Sequence, residues 1–158
     1  MSAAVHSYPV VVPADEVAGP PQGQWTYAAY AALPDDGRQY EVIAGVLYVT
    51  PSPIPDHRDV VGEIVYALIG HIKRRGLGRV FDSPIDVELV PGEPTTTVRP
   101  DVVVVLADHV AQIGPKHIVG APALVVEVLS PSTATFDRRG KYDAYEAAGV
   151  TEYWLVDA

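Results

Sequence analysis

Two runs of consecutive apolar residues constrain the fold of this 158-residue chain more than any other feature of its sequence. One run spans residues 102–106 and the other spans residues 123–126. A strand with one face in water alternates apolar and polar residues, whereas an uninterrupted apolar run is typical of a strand covered on both faces. Residues 85–90 do alternate, so we predict a half-buried strand there beside two central, fully buried strands.

Segments with helical spacing surround these strands. Between residues 56 and 75, apolar residues recur at intervals of three and four, and Gly76 follows as a stop signal. Residues 136–148 show the same spacing and end before Gly149, which predicts a second long helix. A short helix is expected at residues 25–33, with Thr26 as its N-cap.

A hairpin and a final strand complete the predicted order of elements. Residues 40–43 and 46–49 are rich in β-formers and are separated by Ala44-Gly45, a two-residue hairpin signal. A last short strand is predicted at residues 153–156. The order of hairpin, helix, three strands, helix and strand indicates an α/β or α+β fold, in which a mixed sheet is flanked by helices.

The length and composition suit one folded domain after a short leader. Residues 1–23 combine several prolines with little periodicity, so we predict a flexible N-terminal leader there and a domain at residues 24–158. The N-terminus lacks a basic region and a long apolar run. We therefore expect a cytoplasmic protein without a membrane partner.

Charge and cysteine content limit the chemistry. The chain has no cysteine, so any metal must be held by oxygen or nitrogen ligands. The net charge of −9 is unusual for a protein that binds nucleic acid, because such proteins normally carry a basic footprint. Its basic residues cluster at two places, residues 73–79 and residues 138–139.

Two acidic residues lie where buried strands are predicted. Asp101 directly precedes the apolar run at residues 102–106, and Glu127 interrupts the apolar stretch at residues 123–129. A buried ionised carboxylate is costly unless it is paired or binds a metal. Carboxylate oxygens suit Mg²⁺, and two of them leave positions open for water and a phosphate oxygen.

These acids also carry a family resemblance. Arg99-Pro100-Asp101, followed 26 residues later by Glu127-Val128-Leu129-Ser130, resembles the PD-(D/E)XK nuclease pattern. The lysine usually found two residues after the glutamate is replaced by Leu129, but Lys141 follows on the predicted helix. This arrangement resembles the Uma-type family of restriction endonucleases, in which the lysine lies on that helix.

The resemblance covers residues 25–158 and implies a restriction-endonuclease-like fold. Further matching segments are residues 40–45, 52–57, 122–133 and 149–157. Members of the family generally continue beyond the last of these segments, so we expect the domain to lack the family's C-terminal strands. An unprotected last strand would favour a homodimer.

The resemblance implies a magnesium-dependent endonuclease that hydrolyses phosphodiester bonds of DNA, with Mn²⁺ as a possible substitute. The implied metal ligands are Asp101, Glu127 and the carbonyl of Val128. Lys141 would orient or deprotonate the attacking water and stabilise the transition state. Glu41 is a further acidic candidate, and His57 is expected to contact the substrate or the edge of the site.

Two other functions stay open. The acidic charge and the missing Glu-x-Lys suit a catalytically silent module of the same fold that binds nucleic acid or protein. A metal hydrolase of small phosphorylated substrates would also suit the charge, since it need bind only one phosphate. Four aromatic residues are expected to pack in the core or at an interface, with stacking on bases as the alternative: Tyr142, Tyr145, Tyr153 and Trp154.

Overall fold

The computed structural model describes residues 11–157, which form ten strands and four α-helices. The strands are β1 (Val12–Pro13), β2 (Gln39–Ile43), β3 (Val46–Thr50), β4 (Gly78–Asp82), β5 (Val87–Val90), β6 (Thr96–Val98), β7 (Val102–Leu106), β8 (Ile118–Val119), β9 (Leu124–Leu129) and β10 (Glu152–Asp157). The helices are α1 (Tyr27–Ala31), α2 (Pro55–Leu68), α3 (Ala134–Phe136) and α4 (Tyr142–Ala148). A 3₁₀ segment, Ala107–Gln112, follows β7.

The strands form two mixed sheets. Sheet A has the order β1-β3-β2-β6-β5-β8, in which only the β5–β8 pair is parallel. Sheet B has the order β10-β9-β7-β4, in which only the β10–β9 pair is parallel. The predicted mixture of helices and mixed strands is confirmed, but the strands divide between two sheets where one was predicted.

The two apolar runs become the central strands β7 and β9, and both faces of each are covered. One face packs against α2 through Leu68, Val102, Val104, Leu124 and Val126. The other face packs against α4 and sheet A through Val87, Leu89, Val98, Val103, Val105, Ile118, Val125 and Tyr145. Neighbouring side chains of a strand alternate between its faces, so one uninterrupted apolar run supplies both cores.

The β2–β3 hairpin turns at the predicted dipeptide. Ala44 and Gly45 both have positive φ, 48° and 75°, as a two-residue hairpin turn of this type requires. Gly45 also needs the absence of a side chain, because a Cβ there would lie 2.5 Å from the carbonyl oxygen of Gly23. The hairpin prediction is confirmed.

Both long predicted helices contain a π-helical stretch. Ile69–Lys73 prolongs α2, and Asp137–Lys141 connects α3 to α4. Gly149 ends α4 in the left-handed conformation with φ of 84°, as predicted for its C-cap. A π turn holds an extra residue and is frequent at functional sites. Here it carries Lys141.

The described part of the predicted leader belongs to the fold, which corrects the expected boundary at residue 24. Val12 pairs with Val49, and Ala14, only 2% exposed, packs in a cluster with Trp25. Residues 1–10 of the predicted leader lie outside the described residues. None of the helices within residues 11–157 has the length and the apolar character that a membrane span requires.

Candidate functional site

A cavity of about 380 Å³ lies where strands of both sheets meet the start of α2 and the segment after β9. The residues singled out from the sequence all line it: Glu41, His57, Asp101, Glu127, Val128 and Lys141. These residues come from five separate parts of the chain, and folding brings all of them to the lining of one cavity.

Strand pairing places the two predicted metal ligands side by side. In the antiparallel β7–β9 ladder, Val102 pairs with Val126. Asp101 directly precedes Val102, and Glu127 directly follows Val126. The two residues therefore lie at the same end of this ladder, and both line the cavity.

Asp101 is fixed by two donors on one oxygen. The backbone N–H of Val128 donates to Oδ2 over 2.8 Å, and Nε2 of His57 lies 3.1 Å from the same oxygen. The contact made by Val128 is thus through its N–H, and a metal-binding role for its carbonyl stays a prediction.

Lys141 joins the two sheets through carboxylates. Its Nζ lies 2.9 Å from Oε1 of Glu127 on β9 and 2.9 Å from Oε1 of Glu41 on β2. The lysine is only 4% exposed. The backbone N–H of Arg99 donates to the same oxygen of Glu41. The sequence prediction that Lys141 reaches the acidic centre from its helix therefore agrees with the geometry, while its catalytic role stays a prediction.

Asp137 and the hydroxyl of Tyr145 also belong to this centre, although neither was predicted from the sequence. Oδ1 of Asp137 lies 3.7 Å from Nζ of Lys141, and the hydroxyl of Tyr145 donates to Oε1 of Glu127 over 2.6 Å. Asp137, Lys141 and Tyr145 recur at intervals of four residues. That spacing, which places side chains on one helical face, was the available signal.

The donor set fits Mg²⁺ or Mn²⁺. Asp101 and Glu127 each use one oxygen for two hydrogen bonds, and within residues 11–157 no hydrogen bond reaches the other oxygen of either group. No group of three or more acidic or histidine side chains in that part of the chain is arranged to hold a metal. Because Mg²⁺ commonly binds one or two carboxylates and keeps several waters, two carboxylates suffice.

Burial and crowding of like charges dominate the electrostatics. Burial raises the pKa of Glu127 well above its ordinary value, Lys141 opposes this rise, and nearby carboxylates add to it. Burial likewise raises the pKa of Glu41 and of Asp137. For Lys141, burial disfavours the charged form, but the surrounding carboxylates outweigh it and raise the pKa well above its usual range. One ammonium therefore faces three buried carboxyl groups, and a divalent cation would offset the excess.

His57 is subject to opposing effects. Its hydrogen bond to Asp101 raises the pKa of the imidazole above its ordinary value, although burial opposes this rise. Nδ1 of His57 is buried without a hydrogen-bond partner among the described residues, which disfavours a second proton on the ring. Both protonation states can keep a proton on Nε2, so His57 can donate to Asp101 in either form.

The fold is similar to that of one solved protein. The structure described as "a putative nuclease belonging to DUF820", from Anabaena variabilis, aligns with a TM-score of 0.68 and 21% sequence identity. The alignment covers 84% of this chain and 73% of that chain. This similarity shows that the two proteins share a fold.

The chain belongs to the Uma2 family, whose sequence model is described as "Putative restriction endonuclease" and matches residues 27–158. The family predicted from the sequence motifs is thereby confirmed. A search of curated proteins gives no match.

Proposed function

We propose that this protein is a metal-dependent endonuclease that hydrolyses phosphodiester bonds of DNA, with Mg²⁺ as its cofactor and Mn²⁺ as a substitute. The observation that carries the proposal is the convergence of Asp101, Glu127 and Lys141 on one cavity. Nζ of Lys141 lies 2.9 Å from Glu127, although the two residues are 14 positions apart and belong to different elements.

Asp101 and Glu127 would hold the metal through the oxygens that make no hydrogen bond within residues 11–157. Bound there, Mg²⁺ would supply an activated water and offset negative charge on the phosphate. His57 and Val128 orient Asp101, because both donate to its Oδ2.

Lys141 has one donor left for a substrate. An ammonium group carries three N–H donors, and Glu41 and Glu127 occupy two of them at 2.9 Å. Lys141 lines the cavity, so its third donor and its charge would stabilise the negative charge that develops on the phosphate. This role needs the charged ammonium, which the raised pKa of Lys141 favours over the deprotonated amine.

Arginines near the cavity would contact the DNA backbone. Arg58 is exposed and lines the cavity, and Arg138 and Arg139 are exposed on the π-helical stretch that carries Lys141. Such contacts position a nucleic acid without reading its sequence. Because the net charge is −9, we expect a short footprint with few phosphate contacts, and therefore weak binding with a shallow dependence on salt.

The test is cleavage of supercoiled plasmid DNA by the parent protein and by Asp101→Asn and Glu127→Gln. Asp143→Asn is the matched control, since it removes one negative charge from an exposed position on α4. We expect nicking that needs Mg²⁺ or Mn²⁺, disappears in both site variants and persists in the control. Undiminished cleavage by Asp101→Asn would refute the proposal.

The net charge favours one second candidate, a metal hydrolase of small phosphorylated substrates. A molecule with one phosphate needs positive charge only within the cavity. Arg58 and Lys141, which both line the cavity, supply that charge. Metal-dependent turnover of nucleotides without any plasmid cleavage would select this candidate.

A homodimer is also proposed, through the outer strand of sheet B. β10 pairs with β9 on one side, and Trp154 and Leu155 on it are exposed. Exposed strand edges are ready templates for pairing with another strand. Light scattering after gel filtration tests this, and a monomeric mass across the concentration range would exclude it.

A further inference from the structure

Tyr145 reaches the site only through Glu127. Its ring is 1% exposed and packs in the core between sheet B and sheet A. Its hydroxyl donates to Oε1 of Glu127 over 2.6 Å. Tyr145 is absent from the described lining of the cavity, so it has no route to touch a substrate or a metal.

The hydroxyl of Tyr145 restricts how Glu127 can turn. Oε1 of Glu127 accepts from Lys141 and from Tyr145, and these two donors fix the plane of the carboxyl group. Without the hydroxyl, only Lys141 would hold Oε1, and Lys141 is shared with Glu41. Glu127 could then rotate, and its second oxygen would lose its fixed direction.

We infer that Tyr145 is a positioning residue that orients the metal-binding carboxylate of Glu127. This inference rests on the proposed function, because it takes Glu127 as a metal ligand. Groups that hydrogen-bond to metal ligands typically change metal affinity by about 10- to 100-fold when they are removed. A residue that serves only for packing would leave metal affinity unchanged when its hydroxyl alone is deleted.

Tyr153 provides a matched control. Its ring centroid lies 4.7 Å from that of Tyr145, and its hydroxyl donates over 3.0 Å to the backbone carbonyl of Asp137. Tyrosine-to-phenylalanine substitution at either position removes one hydroxyl from the same aromatic cluster. Only the change at Tyr145 removes a hydrogen bond to a carboxylate of the site.

The experiment is calorimetric titration of Mn²⁺ into the parent protein, Tyr145→Phe and Tyr153→Phe, after circular dichroism has shown that each is folded. We expect Tyr145→Phe to weaken Mn²⁺ binding by about tenfold or more, and Tyr153→Phe to stay within about twofold of the parent. The Mn²⁺-induced shift in melting temperature gives the same comparison if Tyr145→Phe is too unstable for calorimetry.

Three results would overturn the inference. Equal Mn²⁺ affinity in Tyr145→Phe and the parent would remove the role of Tyr145 and leave the proposed function intact. An equal loss in both phenylalanine variants would assign the effect to general packing. Absence of Mn²⁺ binding by the parent would remove the proposed metal site and this inference together.

Discussion

Substituting Lys141 with methionine keeps an unbranched side chain of nearly the same length and removes its charge. Nζ of Lys141 lies 2.9 Å from carboxylate oxygens of both Glu41 and Glu127, and the side chain is only 5% exposed. Asp137 adds a third carboxylate at 3.7 Å. The substitution would therefore leave three buried acidic groups without the cation that they surround.

The expected loss of stability is about 3–5 kcal/mol at mildly alkaline pH, the usual cost of removing one partner of a buried ion pair. The contacts of Lys141 with Glu41 and Glu127 can also be counted as two charge-assisted hydrogen bonds of about 1.5–3 kcal/mol each. Their sum is similar to the expected loss of stability. The loss should shrink in acid, because the raised pKa values of Glu41 and Glu127 allow these groups to take up protons and become neutral.

Urea unfolding followed by circular dichroism measures this loss at mildly acidic and mildly alkaline pH. Lys73→Met is the control, since Lys73 is exposed at the end of the helix that prolongs α2. Adding Glu127→Gln to Lys141→Met should recover part of the stability at alkaline pH. If Lys141→Met loses less than about 1 kcal/mol of stability, the value typical of an exposed ion pair, the expected contribution of the buried charges is refuted. A loss equal to that of Lys73→Met would refute it as well.

Three further results are expected. The folded state raises the pKa values of Glu41, Glu127 and Asp137, so their protonated forms stabilise the metal-free protein. This stabilisation should be complete at a pH below the ordinary pKa values of these groups. It should be lost as the pH rises through their raised pKa values in the folded protein. Melting temperatures across this pH range test it, and a flat profile would contradict it. Arg58→Ala should weaken DNA binding and reduce the salt slope by about one while leaving Mn²⁺ affinity unchanged, as measured by fluorescence anisotropy and calorimetry; an unchanged slope would exclude a phosphate contact. Gly45→Ala should lower the melting temperature more than Gly37→Ala, because both have positive φ but only Gly45 would place a Cβ against other atoms. An equal decrease in melting temperature for both variants would show that the hairpin accommodates a Cβ at residue 45 without loss of stability.

The core and the centre of the site were accessible from sequence. The apolar runs at residues 102–106 and 123–126 required strands covered on both faces, which is how β7 and β9 pack. An acidic residue in such surroundings must have a partner, so Asp101 and Glu127 stood out without a structure. Lys141 was identified through the family resemblance, since a lysine on a helix has no signal of its own.

The remaining features depend on contacts between distant segments. β1, β6 and β8 have two or three residues each, too few to show a period, and they form because neighbouring strands supply hydrogen-bond partners. Division into two sheets follows from that pairing. Tyr145 has the ordinary appearance of a core aromatic residue, and only the three-dimensional structure directs its hydroxyl to Glu127.

Crystals grown or soaked with Mn²⁺ test the central claim most directly, because the anomalous signal of manganese locates the ion. We predict a peak within about 2.0–2.4 Å of one oxygen of Asp101 and one oxygen of Glu127, with water completing the shell. A fully occupied ion bound elsewhere, with both carboxylates free of metal, would contradict it.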